Sequence, residues 1–165
     1  MNRLAAISLS AALLACVGNV HANVLEGKVV GVSDGDTITV LVDRREVKVR
    51  VAGIDAPEKK QPFGQRSQEH LSDCAFGKSV AVEWSKTDRY GRTIGKVTAE
   101  GVDCGLRQIH DGLAWHYKAY AKEQSAKDRA TYSEAESQAM ARKAGLWSDP
   151  HPVPPWEFRH PASAN

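Results

Sequence analysis

The sequence predicts an α+β fold, a five-stranded OB-type antiparallel β-barrel with about three α-helices at one side. Five short segments have the alternation or the β-branched content of strands, and three longer segments between or after them have helical patterns. The chain has 165 residues, of which 42% are hydrophobic. This is enough for one globular domain with a real core, and two full-sized domains would be crowded.

The first three strands are predicted within residues 24–54. Residues 37–42 are rich in β-branched side chains, and in EVKVRVAGI, residues 46–54, three valines alternate with Lys48 and Arg50. A period of two is typical of a strand with one buried face, so the valines are expected in the core and Arg50 on the opposite face. A hairpin turn is expected between these two strands, at residues 43–45.

The last two strands are predicted at residues 80–84, which alternate in the same way, and at residues 93–98. The segment between them, TDRYGR at residues 87–92, contains a glycine and is expected to turn.

Three segments are predicted to be helical. They are GQRSQEHLSDCAF after Pro62, a short helix capped near Asp103, and a long polar helix that follows residue 124 and ends at Gly145. The proline-rich tail is predicted to form no regular element, although its aromatic residues, Trp156 and Phe158, suggest that part of it packs against the domain.

Residues 1–22 are predicted to be a signal peptide. A short basic start precedes an apolar run over residues 4–17, and VHA at residues 20–22 places small residues where a signal peptidase reads. The apolar run is short for a membrane span. We therefore expect a secreted or periplasmic protein whose mature chain begins near Asn23.

The cysteines give an alternative to free export and a candidate disulfide. LLAC at residues 13–16 resembles a bacterial lipoprotein cleavage box, in which Cys16 would carry a lipid anchor. In both cases Cys74 and Cys104 remain, and in an oxidising compartment they are expected to pair rather than stay free. Their spacing fits neither a zinc knuckle nor a CxxC redox site.

Net charge provides no bulk attraction for a polyanion. The chain has 22 Lys and Arg residues and 20 Asp and Glu residues, and loss of Arg3 with the signal peptide would leave 21 basic residues against 20 acidic ones. A nucleic-acid partner would therefore need a local basic patch.

Two acidic corners form the candidate site. In RVAGIDAPE, residues 50–58, Pro57 disfavours helix before it, so that Asp55 and Glu58 project from a stiff corner at the end of a strand. In SDGDT, residues 33–37, a glycine lets the chain turn just before Asp36. Carboxylates at the ends of neighbouring strands can converge, and such oxygen ligands suit calcium or magnesium.

Five motifs occur together in one order: DGDT, VRVAGIDAPE, TDRYGR, GLAW and GLWS. In this the chain resembles the thermonuclease family, the staphylococcal nuclease-like secreted nucleases, from about residue 29 to residue 148. The resemblance implies a nuclease-like OB-fold domain at residues 23–148, after the signal peptide at residues 1–22 and before a proline-rich tail at residues 149–165.

The resemblance also implies the roles of individual residues. Asp36 and Asp55 would be ligands of one Ca²⁺ ion, with the backbone carbonyl of Ala56 as a third ligand where many relatives have threonine. Asp34 would lie beside these ligands without binding the metal. The residues that match the family's catalytic positions are Glu58 as the general base and Arg50 and Arg92 as phosphate-binding residues.

Three tyrosines match the region in which the family contacts nucleotides: Tyr90, and Tyr117 or Tyr120 after GLAW. A ring there would stack on a base with little sequence preference. For Tyr117 and Tyr120 packing in the core is the alternative.

We therefore predict an exported, calcium-dependent nuclease that hydrolyses DNA and RNA with low sequence specificity, and the resemblance further implies 3′-phosphate products. The protein is expected to be a monomer without a protein partner. Two alternatives stay open: a non-catalytic OB-type nucleic-acid-binding module, and a periplasmic structural or conjugation-associated protein with vestigial activity.

Overall fold

The computed structural model describes residues 23–160 of the chain. The predicted signal peptide, together with Cys16, and residues 161–165 lie outside the described residues. Within residues 23–160, no helix combines the length and the apolar character that are needed to cross a lipid bilayer.

Eight strands are present in the described residues. They are β1 (Asn23–Asp34), β2 (Thr37–Val42), β3 (Arg45–Val51), β4 (Ile54–Asp55), β5 (Ser79–Thr87), β6 (Thr93–Ala99), β7 (Val102–Asp103) and β8 (Trp115–His116). The five long strands lie in the order β3-β2-β1-β5-β6, and β3 also pairs with β6, which closes a barrel. The predicted α+β fold with a five-stranded barrel is confirmed.

The barrel is mixed, whereas the sequence predicted antiparallel strands. Strands β3 and β6 run parallel, with Val49 opposite Thr93 and Val51 opposite Gly95. The other four junctions of the barrel are antiparallel. A closed ring of five strands cannot alternate in direction at every junction, because five is odd, so one junction must be parallel.

Three main helices lie beside the barrel: α1 (Gly64–Ala75), α2 (Cys104–His110) and α3 (Ala126–Ala141). The side chain of Asp103 caps α2 by accepting a hydrogen bond from the backbone N–H of Leu106, and Ser125 caps α3 in the same way. Helix α3 ends before the predicted Gly145, because Lys143 adopts a left-handed conformation (φ 53°). A short 3₁₀ turn, Gly145–Ser148, follows.

The prediction that the tail lacks regular structure is wrong for one turn, α4 (Pro155–Phe158). Pro155 occupies the first turn of this helix, where its fixed φ is already helical and its missing N–H costs no hydrogen bond. A second 3₁₀ segment, Lys118–Glu123, connects β8 to α3.

The core fills the barrel and the space beneath α1 and α2. Val49 and Val51 are buried, as the alternation in β3 predicts, and they pack with aliphatic residues from every strand of the barrel. A disulfide between Cys74 and Cys104 ties the end of α1 to the start of α2.

Candidate active site

Strand register brings the first acidic corner to Arg50. In the β2–β3 pair Thr37 lies opposite Arg50, and the backbone N–H of Val51 donates to the carbonyl of Asp36 at 2.8 Å. Asp36 therefore lies beside the arginine, and its Oδ2 is 2.7 Å from Arg50 Nη1.

The second acidic corner reaches the same guanidinium. After β3 the chain turns into β4, where Asp55 pairs with Trp115 of β8, and Asp55 Oδ1 is 2.8 Å from Arg50 Nη2. The backbone N–H of Ala56 donates to Asp36 Oδ2 at 2.9 Å. Asp36 lies 20 residues before Ala56 in the sequence, and it forms one cluster with Asp55 and Ala56 around Arg50.

Gly35 is required for this close approach. A Cβ atom at this position would lie 1.9 Å from Ser67 Oγ and 2.7 Å from the Cβ of Ala56. Asp34 braces the same turn, because its Oδ1 accepts a hydrogen bond from the backbone N–H of Asp36 at 3.1 Å. The glycine in the DGD turn is thus a packing requirement of the cluster.

Burial dominates the electrostatics of the cluster. Asp55 is fully buried and Asp36 is 6% exposed. Removal from water raises the pKa of Asp36 to about 7, against the opposing attraction of Arg50, and the neighbouring charges of Asp34 and Asp55 add to the rise. Two buried carboxylates so close together need compensating positive charge.

The donors of the cluster suit a hard cation. Asp36 and Asp55 offer carboxylate oxygens, and the carbonyl of Ala56 lies in the same turn; calcium and magnesium prefer such ligands. Within residues 23–160 no three His, Cys, Asp or Glu side chains lie together in an arrangement that could hold a metal. A cation here would accordingly rely on two side chains, with backbone and water completing its shell.

Glu58 lies at the mouth of the cluster. Its side chain is 40% exposed, and its backbone N–H donates to Gln61 Oε1 at 3.1 Å. A proton acceptor that is open to solvent on one side and next to the buried acids on the other can reach a water molecule there.

Arg159 of the tail is another residue of the site, and no motif in the sequence indicated it. Its Nη1 is 2.9 Å from Glu58 Oε1, and its Nη2 is 2.8 Å from Asp55 Oδ2. Hydrogen bonds to Asp55, supported by those to Glu58, raise the pKa of this guanidinium above its ordinary value. The aromatic residues around Arg159 predicted packing of the tail, but no spacing signal indicated where the tail packs.

Arg92 does not contact the two buried carboxylates. Its Nε is 2.7 Å from Asp88 Oδ2, within its own turn. Despite partial burial, hydrogen bonds from the backbone and side chain of Arg92 hold the pKa of Asp88 below its ordinary value. The backbone of Arg92 nevertheless lies near the site, because Ile94, two residues later, pairs with Arg50 across the β3–β6 junction.

The three tyrosines lie at the surface around the site. Tyr90 is 69% exposed, and the guanidinium carbon of Arg92 is 5.6 Å from its ring centroid. The ring centroids of Tyr117 and Tyr120 are 5.2 Å apart, and Tyr120 is exposed while Tyr117 is half-buried. Neither Tyr117 nor Tyr120 belongs to the core, so the packing alternative does not apply to them.

With this geometry in place, comparison with known proteins identifies the family. A family model described as "Staphylococcal nuclease homologue" matches residues 48–149, which include Arg50, the second acidic corner and helices α1 to α3. The chain belongs to this family. The resemblance predicted from the five motifs is confirmed, and the protein is a nuclease, a phosphodiesterase acting on nucleic acid.

Curated relatives match over most of the chain. It is 41% identical over 147 residues to "Protein ParB" of Escherichia coli, a match that covers 82% of this chain and 79% of the relative. It is 40% identical over 148 residues to "Micrococcal nuclease" of Shigella flexneri, covering 84% of this chain and 82% of the relative. An "Uncharacterized endonuclease" of Escherichia coli O157:H7 is 40% identical over 137 residues, covering 82% and 86%.

Proposed function

We propose that this nuclease is exported, depends on calcium, and hydrolyses phosphodiester bonds in DNA and RNA with low sequence preference. The observation that carries the proposal is the convergence of two buried carboxylates, Asp36 and Asp55, on Arg50, with Glu58 at the mouth of the cluster. A domain that only bound nucleic acid would not need this buried charge.

Asp36 and Asp55, with the backbone carbonyl of Ala56, would hold the calcium ion. When bound, the ion supplies positive charge that opposes the negative charge developing on the phosphate. Since Ala56 would contribute only its backbone carbonyl, this contact needs no particular side chain at residue 56.

Arg50 is held by a backbone carbonyl and by the two buried acids, and from this position it would bind the phosphate. Its Nη1 donates to the carbonyl oxygen of Ile54 at 3.1 Å, and its Nη2 contacts Asp55 at 2.8 Å. A guanidinium has five N–H groups in a planar fork, so donors remain for the non-bridging oxygens of a substrate phosphate. Arg92 would reach the same phosphate after exchanging its contact with Asp88.

Glu58 would act as the general base. Its carboxylate takes a proton from the attacking water while the water oxygen forms a bond to phosphorus. The bond from phosphorus to the 5′ oxygen breaks, and that oxygen leaves as a hydroxyl once it is protonated. The products are a 3′-phosphate and a 5′-hydroxyl, in agreement with what the family resemblance implies.

Base stacking would hold the substrate without reading its sequence. Tyr90, whose ring lies against the guanidinium of Arg92, and the pair Tyr117 and Tyr120, which follows β8, would provide these rings. Stacking on such rings tolerates any base, which suits an enzyme that degrades both DNA and RNA.

Export would place the domain in an oxidising compartment, and the disulfide between Cys74 and Cys104 supports this. Release after residue 22 is the primary proposal and acylation at Cys16 is the alternative. The mass of the protein recovered from the cell envelope or the medium separates them, because a lipid adds several hundred daltons to a chain that begins at Cys16. A full-length cytoplasmic chain would contradict both.

The test of the chemistry is hydrolysis of single-stranded DNA and RNA with calcium and with a chelator. We expect cleavage with calcium and none with the chelator. Glu58→Gln should keep the fold and lose most activity, by about two to four orders of magnitude. Glu46→Gln, at an exposed position on β3, is the matched control.

Two results would contradict the proposal. Cleavage by Glu58→Gln at the parent rate would contradict the assignment of Glu58 as the general base. Binding of oligonucleotides without cleavage under any divalent ion would instead identify a non-catalytic binding module.

A further inference from the structure

We propose that the C-terminal strap, defined as residues 149–160, is an internal competitor of the calcium ion: it docks across the active site through Arg159 and must leave before calcium binds. This inference rests on the calcium dependence proposed above and concerns how access to the same site is regulated.

Arg159 uses the oxygen atoms that a cation would need. Its Nη2 is 2.8 Å from Asp55 Oδ2, and its Nη1 is 3.2 Å from Asp55 Oδ1 and 2.9 Å from Glu58 Oε1. Arg50 also contacts Asp55 Oδ1, so Arg159 is the partner of Oδ2. Both oxygens of Asp55 therefore have arginine partners when the strap is docked.

A calcium ion on Asp55 would conflict with this contact. Calcium lies about 2.3–2.6 Å from its oxygen ligands, so an ion on Asp55 Oδ2 would approach Arg159 Nη2 closely. Both groups are positively charged, and the same oxygen lone pairs would have to serve both. The two states exclude each other, and the guanidinium also occupies the carboxylate of Glu58, the proposed base.

Aromatic contacts anchor the strap independently of Arg159. The ring of Trp156 stacks on Tyr117, with centroids 5.7 Å apart and planes inclined by 26°, and its centroid is 5.6 Å from that of Trp115. Trp115 lies opposite Asp55 in the β4–β8 pair, so this anchor sits directly beside the acidic cluster.

Residues just before and at the start of α4 complete the docking. Gln61 Nε2 donates to the carbonyl of Val153, and Pro155 is buried. Gln61 also accepts the hydrogen bond from the backbone N–H of Glu58. The strap thus covers Asp55, Glu58 and Tyr117, which belong to the proposed metal site, the base and the nucleotide surface, respectively.

Such competition lowers the apparent affinity for calcium. If binding requires the undocked state, the apparent dissociation constant equals the intrinsic one divided by the undocked fraction. With the strap docked in about nine of ten molecules, removal of the contact strengthens calcium binding about tenfold.

The experiment measures calcium binding by titration calorimetry on the purified parent and on five variants. We expect Arg159→Gln and Trp156→Ala each to bind calcium about tenfold more tightly, and the double variant to gain much less than the two effects combined, because both act through docking. Arg129→Gln, at an exposed position on α3, makes the same charge change and should match the parent.

Arg159→Lys distinguishes an effect of docking from an effect of the positive charge alone. Lysine keeps the charge, but its single nitrogen cannot bridge Asp55 and Glu58 as the guanidinium fork does. We expect this variant also to bind calcium more tightly than the parent.

Limited trypsin digestion reports on the strap itself. Without calcium, Arg159 is held by two carboxylates and should be cut slowly; calcium should speed cleavage after Arg159 relative to cleavage at Arg44 in the exposed β2–β3 turn. In Trp156→Ala, cleavage after Arg159 should be fast even without calcium.

The outcomes are distinguishable. Equal calcium affinity in the parent, Arg159→Gln and Trp156→Ala would overturn the proposed competition between strap and calcium, while the proposed calcium site would stand. Parent-like affinity in Arg159→Lys with tighter binding in Arg159→Gln would reduce the effect to charge alone and would overturn docking. Calcium binding to neither parent nor variants would overturn the proposed calcium dependence together with the competition.

Discussion

The raised pKa of Asp36 predicts that binding of the proposed calcium ion weakens as the pH falls through neutrality. Calcium needs the ionised carboxylate, so binding must displace a proton from Asp36 below about pH 7. With a pKa of about 7, the ionised fraction falls from about nine tenths at pH 8 to about one tenth at pH 6, which weakens binding about tenfold. A carboxyl at the ordinary value of 3.8 would stay ionised throughout this range and give no change.

The assay is calorimetric titration of calcium at pH 6, 7 and 8, in pairs of buffers with different ionisation enthalpies, so that proton release is counted directly. We expect up to one proton released at pH 6 and almost none at pH 8. Asp34→Asn is the matched control: burial, the main cause of the raised pKa of Asp36, is kept, and asparagine can still accept the hydrogen bond from the Asp36 backbone, but the like charge that adds to the rise is gone. Its midpoint should lie at lower pH. Equal calcium affinity at pH 6 and pH 8, with no proton release, would refute the reasoning.

The same shift determines how the stability of the metal-free protein depends on pH. Because the pKa of Asp36 is higher in the folded state than its ordinary value of 3.8, the folded protein holds more protons than the unfolded chain between about pH 4 and pH 7. The contribution of Asp36 to the free energy of unfolding is therefore fully present below pH 4 and is lost as the pH rises to about 7. Its slope is at most about 1.4 kcal/mol per pH unit, and Asp36→Asn should remove it.

Two further predictions concern Arg50 and the disulfide. Arg50→Lys should lower the rate of hydrolysis by about two to three orders of magnitude, since the single nitrogen of lysine cannot contact Asp36, Asp55 and a phosphate together. Arg45→Lys is the control on the same strand. An Arg50→Lys enzyme as active as the parent would contradict the role assigned to Arg50. Replacing Cys74 and Cys104 with alanine should lower the free energy of unfolding by about 3–4 kcal/mol, as expected for a disulfide that closes a loop with a sequence separation of 30. Urea denaturation measures this difference. Unchanged stability would show that the disulfide does not restrain the unfolded chain.

Local sequence determined the strands of the barrel and the composition of the acidic corners. The alternation around Arg50 is a property of consecutive residues, since side chains in a strand alternate between its faces, and Val49 and Val51 are buried as it requires. The Asp-Gly turn before Asp36 and the proline after Ala56 are equally local. The order of the five motifs then indicated the family, which the match to residues 48–149 confirms. The limits of the signal peptide and of the domain, and the monomeric state, stay predictions.

Tertiary structure alone decided what surrounds the acids. Arg159 is 104 residues from Asp55 along the chain, and no local period links them; the contact exists because a turn with proline at its start and Trp156 at its centre docks on Trp115 and Tyr117. Contact between distant segments depends on complementary surfaces that form only after the barrel has closed. The raised pKa of Asp36 has the same origin, because it comes from removal of water by the packed domain, and a list of residues contains no measure of that burial.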